Sequence, residues 1–235
     1  MKRIGMIGGF GPESTLDYYR LIIDHYRNLK GEAGLPEIII YSMDVYTALD
    51  FARKEDWEGL KNYLLMGLDV LKNAGADFGF ISANTPHIVF DRLKPLSPLK
   101  LISIVDATET AVKIKGLKKV ALLGTSFTMQ SDFYKKVFDR DSIILATPNK
   151  EEQKYIQEKI FEELELGIIK EETKKGFLKI IKRMKQEDSV QGVILGCTEI
   201  PLLLSQEEEF GIPFFNTTKI HAEAVLEYCL NGNDF

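Results

Sequence analysis

The sequence predicts an α/β fold of two similar halves, each a parallel sheet covered by helices. Three observations lead there. Short apolar runs rich in β-branched residues alternate with longer amphipathic stretches, as in strands buried on both faces between helices. The order of elements repeats once along the chain. No low-complexity linker separates the halves, so the two domains are expected to pack closely.

Taken in order, the strand candidates are Ile4–Ile7, Glu37–Tyr41, Phe78–Ser82, Leu101–Val105, Val120–Leu123, Ser142–Ala146, Val193–Leu195 and Pro213–Phe215. Helical periodicity marks Leu16–Leu29, Trp57–Asn73, Gln153–Leu166 and Glu171–Lys185. The repeat pairs IGMIGGFGPEST (Ile4–Thr15) with VALLGTSFTMQS (Val120–Ser131), and FGFISANTPH (Phe78–His87) with GVILGCTEIP (Gly192–Pro201). A third pair is ISIVDATETAV (Ile102–Val112) and PFFNTTKIHAEAV (Pro213–Val225). The offset of roughly 110–116 residues is far too long for a solenoid and fits a duplicated α/β half. The domains read as 1–101 plus 210–235, and 102–209.

The chain has 235 residues, 45% of them apolar, and a net charge of -5. That length supports a real hydrophobic core. The balance of 35 acidic to 30 basic residues lacks the basic excess of a nucleic-acid binder. No apolar run approaches the roughly 20 residues that cross a bilayer. The MKRIGMIGGFGP start has too short an apolar stretch for a signal peptide. A soluble, cytoplasmic protein is expected.

In open α/β sheets, ligands bind beyond the carboxyl ends of the strands. The repeat therefore sets Ala83-Asn84-Thr85 and Cys197-Thr198-Glu199 opposite each other at a shared cleft. Thr85 before Pro86 reads as an N-cap and first helical residue, whose free N–H groups would bind an anion. Cys197 occupies a similar strand-to-helix turn, where a helix N-terminus would lower its pKa toward the thiolate. Cys229 lies in an apolar helix and reads as packing. The Gly8–Gly11 turn departs from the dinucleotide fingerprint. It either brings backbone close to a small ligand or is an ordinary tight loop. His25, His87 and His221 share no ligand spacing, so no metal site is expected. His87 either bonds a cleft group or starts a helix. Glu199 either caps its helix or orients the thiol.

Gly8-Gly9-Phe10-Gly11-Pro12-Glu13-Ser14-Thr15 with Tyr18-Tyr19-Arg20, Asn84-Thr85-x-His87 and Gly196-Cys197-Thr198-Glu199-Ile200-Pro201 resemble the aspartate/glutamate racemase family nearly end to end. The resemblance implies two pseudo-symmetric, Rossmann-like α/β domains with the active site in the cleft between them. It also implies a homodimer that inverts amino acids with no cofactor, neither pyridoxal phosphate nor metal. Inversion needs a proton removed from one face of Cα and returned to the other, which two opposed thiols supply. From the resemblance, Phe10, Asn84, Thr85, Thr125, Thr128 and Thr198 would bind the substrate, some by stabilising its carboxylate as charge develops.

One departure is decisive. The first catalytic position, normally cysteine or in some relatives threonine, is Ala83, whose methyl group can neither give nor take a proton. The preferred reading is a thiol truncated to silence the enzyme, with Cys197 as the remaining acid/base. An alternative is a one-thiol decarboxylase resembling arylmalonate decarboxylases. A second is an amino-acid sensor without catalysis. Aspartate-selective relatives also carry an arginine in the loop after the second strand. Here that segment reads YSMDVYTALDF with Ala48, leaving Arg53 or Lys54 as substitutes, and Ser42-x-Asp44 looks more like broad-specificity relatives.

Overall fold

Nine strands and eleven α-helices alternate along the computed structural model, which describes residues 1–31 and 34–232. In order they are β1 (Ile4–Gly8), α1 (Pro12–Lys30), β2 (Ile38–Ser42), α2 (Val45–Arg53), α3 (Trp57–Asn73), β3 (Phe78–Ile81), α4 (Phe90–Leu93), β4 (Lys100–Ile102) and α5 (Ile104–Ile114). There follow β5 (Lys119–Leu123), α6 (Ser126–Gln130), α7 (Phe133–Asp139), β6 (Ile144–Ala146), α8 (Lys150–Glu162), α9 (Glu171–Glu187), β7 (Val193–Leu195), α10 (Ile200–Leu203), β8 (Glu208–Glu209), β9 (Ile212–Asn216) and α11 (Thr217–Asn231). Single 3₁₀ turns at Thr85–Val89 and Leu164–Leu166 matter below.

The described residues form two units, Met1–Ala107 with Thr218–Phe235, and Thr108–Thr217. The last three residues of the predicted 210–235 segment lie outside the described part. In the first unit the strand order is β2-β1-β3-β4, all parallel. In the second it is β6-β5-β7-β9, also parallel, with the two-residue β8 antiparallel on the edge. The two orders are the same once β8 is set aside, as the sequence repeat predicts. The junction differs from the predicted one. β9 falls within the predicted 210–235 piece of the first domain, yet it hydrogen-bonds to β7, with Val193 opposite Phe214. Strand pairing, not the boundary of the repeat, decides which sheet it joins.

The cores explain the continuous apolar strands. In the first unit Ile4, Met6, Phe78 and Phe80 pack with Tyr18 and Ile22 of α1 and Val225 of α11. Ile7 and Ile81 point the other way, against Leu60, Leu64 and Leu68 of α3. Successive side chains thus meet helices on both faces, so no polar alternation is possible. In the second unit Ala121, Leu123, Val193 and Leu195 pack against Ile156, Ile160, Phe177 and Ile181 of α8 and α9.

Helix ends follow local chemistry. Asn149 and Glu152 form a reciprocal capping box that starts α8 three residues before its apolar periodicity begins. The predicted strand Leu101–Val105 ends at Ile102, because Ser103 accepts the Asp106 N–H at 3.1 Å and turns the chain into α5. Among the described residues no helix is long and apolar enough to cross a membrane.

Candidate active site

In the first unit, the exits of β1 and β3 are tied together from α1. Thr15 Oγ1 accepts the Gly9 N–H at 2.9 Å and donates to Gly11 O at 3.2 Å, so the glycine turn closes on the first turn of the helix. Ser14 Oγ donates to Ser82 O at 2.7 Å and fixes the last residue of the β3 exit. Gly9, at φ 88°, is indispensable here, since a Cβ would stand 2.0 Å from Met43 O. Phe10 is half-buried against the cluster that holds Met43 and Ala48.

Ala83 follows directly, buried at 8% exposure, with Asn84 buried beside it and Thr85 half-buried. Thr85 is not an N-cap. The segment Thr85–Val89 is a 3₁₀ turn flanked by Asn84, which already has helical angles and caps nothing with its side chain. Five residues in such a turn make no anion-binding helix end. The reason is His87, whose Nδ1 lies 2.9 Å from Ala83 O and pulls the chain tight. Its Nε2 accepts the Ile104 N–H at 3.4 Å, and the ring stacks on Phe90. Of the two roles open to His87 in the sequence, bracing the turn is the one the structure contains.

In the second unit Cys197 and Glu199 follow β7. The Cys197 thiol donates to Glu199 Oε2 at 2.8 Å, and Thr198 Oγ1 donates to Oε1 of the same carboxylate at 2.8 Å. Glu199 makes no side-chain cap to α10, so it orients the thiol rather than the helix. The expected thiolate is reversed. Burial first, then the Glu199 charge and its hydrogen bond, raise the Cys197 pKa well above that of a free thiol. α10 has only four residues and begins at Ile200, so it offers little dipole to oppose them. Glu165, in the turn Leu164–Leu166, adds a second negative field that sequence reasoning missed, since it lies 32 residues upstream. Its own carboxyl is raised by burial and by Glu199.

The remaining hydroxyls are engaged locally. Thr125 caps α6 by accepting the Thr128 N–H at 3.3 Å, and the two hydroxyls lie 3.2 Å apart. Thr128 is fully buried. The close approach of β5 and β7 at this end uses Gly196, whose N–H donates to Leu123 O at 2.6 Å.

Neither substitute cation stands at the β2 exit. Arg53 is exposed in the last turn of α2, and Lys54 pairs with Asp50 at 2.6 Å. At 1.5 Å per residue, both lie roughly 13 Å along the helix from its start. At that start stands Asp44, exposed, with its carboxylate accepting the Tyr46 and Thr47 N–H groups at 3.1 Å each. Ala48 is buried. Among the described residues no group of three or more His, Cys, Asp or Glu is placed to hold a metal ion. Cys229 is buried in the core and donates to Lys2 O.

Ala83 and Cys197 stand at strand exits in a chain of two like-ordered parallel sheets, a duplicated α/β framework. The chain belongs to the Asp/Glu/Hydantoin racemase family, whose sequence profile matches residues 7–225. It is similar to the broad specificity amino-acid racemase RacX of Bacillus subtilis, 30% identical over 137 residues. That match spans 57% of this chain and 59% of RacX, under two thirds of the relative's length. A Yersinia pestis crystal structure, provisionally described as an Asp/Glu racemase, is 37% identical with a TM-score of 0.91. PH1733, an aspartate racemase homologue from Pyrococcus horikoshii OT3, is also 37% identical, with a TM-score of 0.85. Each of these two covers 98% of this chain and 100% of its own.

Proposed function

We propose that this chain is an amino-acid racemase of the cofactor-independent type in which one of the two proton-transferring positions is silent. The observation that carries this is the pairing of Cys197 with Glu199 at 2.8 Å, together with a methyl group at Ala83. In this reading positions 83 and 197 face opposite sides of the substrate Cα, as the resemblance implies. Cys197 then serves one face, passing its proton to Glu199 as Sγ accepts the α-proton and recovering it on reversal. Position 83 offers nothing to the other face, so the α-proton exchanges with solvent while configuration is kept. Asn84, Thr85 and Thr198 stand nearest these two positions and are the candidates for holding the carboxylate.

An acidic side chain is disfavoured. The β2 exit presents the Asp44 carboxylate where a cation would be needed, and its pKa is lowered by bonds from Thr47 and Tyr46, so it stays charged. Neutral and basic amino acids fit this rim better, in keeping with the resemblance to a broad-specificity relative.

The test is α-proton exchange of a panel of L- and D-amino acids in deuterated water, with chiral chromatography of the products, for this chain and for Ala83→Cys. Exchange without inversion by the parent, from one enantiomer only, and inversion by the variant are expected. Equal exchange from both enantiomers by the parent refutes the one-sided site. No inversion by Ala83→Cys across the panel refutes the racemase reading. A second reading draws on the same protonated thiol, which suits an acid that protonates a carbanion. Carbon dioxide released from a substituted malonate would mark that one-thiol decarboxylase.

A further inference from the structure

Position 83 is held from behind by groups that the proton chemistry does not use. His87 and His221 are 134 residues apart in sequence, yet their rings stand 6.3 Å apart at 80°, both buried. Every ring nitrogen has a partner. His87 Nδ1 faces Ala83 O at 2.9 Å, and a carbonyl only accepts, so Nδ1 carries the proton and Nε2 is free to accept from the Ile104 N–H. His221 has the opposite arrangement. Its Nε2 faces Ile102 O at 3.1 Å and carries the proton, while Nδ1 lies 2.8 Å from the Tyr18 hydroxyl, which donates to it. Two runs of hydrogen bonds therefore meet on the main chain of Ile102–Ile104. One leads from Tyr18 in α1 through His221 in α11 to Ile102 O, the other from the Ile104 N–H through His87 to the carbonyl of residue 83.

We propose that His87, backed by His221 and Tyr18, is the positioning residue for the active-site turn, an uncharged bridge that fixes the main chain from which residues 83 and 84 project. The functional half of this inference rests on reading position 83 as a site position. Three features support it. The bond to Ala83 O is made by a side chain, although the neighbouring 3₁₀ turn supplies its own backbone bond from His87 N to Asn84 O. Burial keeps both imidazoles neutral, so each holds one fixed tautomer instead of switching. The rings also pack against Phe90 and Phe80, which leaves little freedom to rotate.

The first test is the ¹⁵N imidazole spectrum of the full chain between pH 8 and 6. Two histidines that do not titrate are expected, His87 protonated on Nδ1 and His221 on Nε2, assigned through His87→Asn and His221→Gln. A titrating His87, or two identical tautomers, overturns this arrangement. The second test places a reporter at the turn by Ala83→Cys and measures alkylation of that thiol against pH, with peptide mass mapping to separate it from Cys197 and Cys229. His87→Asn restores a donor at the Nδ1 position and His87→Gln an acceptor at the Nε2 position. If the Ala83 bond sets the turn, the Asn variant keeps the parent's alkylation profile within about twofold. The Gln and Leu variants then change it about tenfold and lower kcat of any inversion with KM little altered. Equal behaviour of the Asn, Gln and Leu variants overturns the proposal. If Ala83→Cys inverts no amino acid while its alkylation still separates Asn from Gln, the positioning role stands and the racemase reading falls.

Discussion

Replacing Gly9 by alanine tests whether the turn after β1 is dictated by backbone contact. The added Cβ would lie 2.0 Å from Met43 O and 2.7 Å from Met43 N. An ordinary carbon–oxygen contact is about 3.3 Å, so Met43 must retreat by roughly 1 Å. Met43 cannot do so freely, because its N–H donates to Gly8 O at 3.0 Å and its side chain is buried with Ile7 and Ala48. The φ of 88° adds strain of about 1–3 kcal/mol for any residue with a Cβ. With one backbone bond lost and a core residue displaced, a total of about 3–5 kcal/mol is expected. At about 2–4 °C per kcal/mol for a chain of this size, the melting temperature should fall by roughly 10 °C. Gly116→Ala is the control, since Gly116 has φ 69° with nothing within 4 Å of the new Cβ, and should show only strain of about 1 kcal/mol. Thermal unfolding of the two variants side by side decides the matter. Equal losses would mean that the Met43 contact is not what selects glycine.

Three further outcomes are expected. Glu199→Gln removes the charge and the full acceptor strength that raise the Cys197 pKa, so alkylation of that thiol should quicken at pH 8 and its profile move to lower pH. An unchanged profile would leave burial and the Glu165 charge as the causes. Stability should rise with pH through the weakly acidic range, because His87 and His221 titrate at about 4 and about 3 when folded, below the ordinary value of 6.5. Under pH 6.5 the unfolded chain takes up protons that the folded chain refuses, giving a slope of up to about 2.7 kcal/mol per pH unit from the two residues between pH 6 and 4.5, roughly halved in His87→Asn. Thr173→Val strips a donor from the buried Glu163 carboxylate, held near a pKa of about 2 first by Lys159 and then by Thr173. A loss of about 1.5–3 kcal/mol in urea unfolding is expected, and no loss would mean that Lys159 and Lys170 suffice.

Much of the fold was legible because its strands are buried on both faces. Ile4–Ile7 and Val193–Leu195 carry that burial in their composition, and the repeat gave the shared strand order. The ends were harder. Ser103-x-x-Asp106 and Asn149-x-x-Glu152 carry capping signatures, but continuous apolar or periodic runs nearby masked where the elements change. β8 is Glu208-Glu209, two acidic residues with no strand signal, paired only because β9 offers an edge. Cys197 and Ala83 stand out in the sequence as candidates, through the repeat and the family resemblance, but their environments do not. The helix-end argument for Cys197 failed because α10 is a single turn and Glu199 folds back to the thiol. Glu165 acts on the surroundings of Cys197, and Ser14 and His221 bond near the ends of β3 and β4, all across long sequence separations. Only Ser14, in the first turn of α1, has a position that favours side-chain bonding to backbone.

The raised thiol bears directly on what one cysteine can do. A lowered pKa gives more thiolate at neutral pH but a weaker base, and the α-proton of an amino acid is a very poor acid. A thiol raised by burial and by Glu199 is seldom ionised, yet each thiolate formed is a stronger base for that proton. The Glu199 carboxylate 2.8 Å away raises that basicity as long as it keeps its charge, and on the proposed reading it is also the group that accepts the displaced proton. With Cys197 as the proposed acid–base, proton removal and proton return use the same Sγ, and that reading leaves only return to the same face while residue 83 is alanine. The proposed site would exchange the α-proton without inverting the carbon. On the proposed reading, a single Sγ atom at position 83 is the difference between exchange and racemisation.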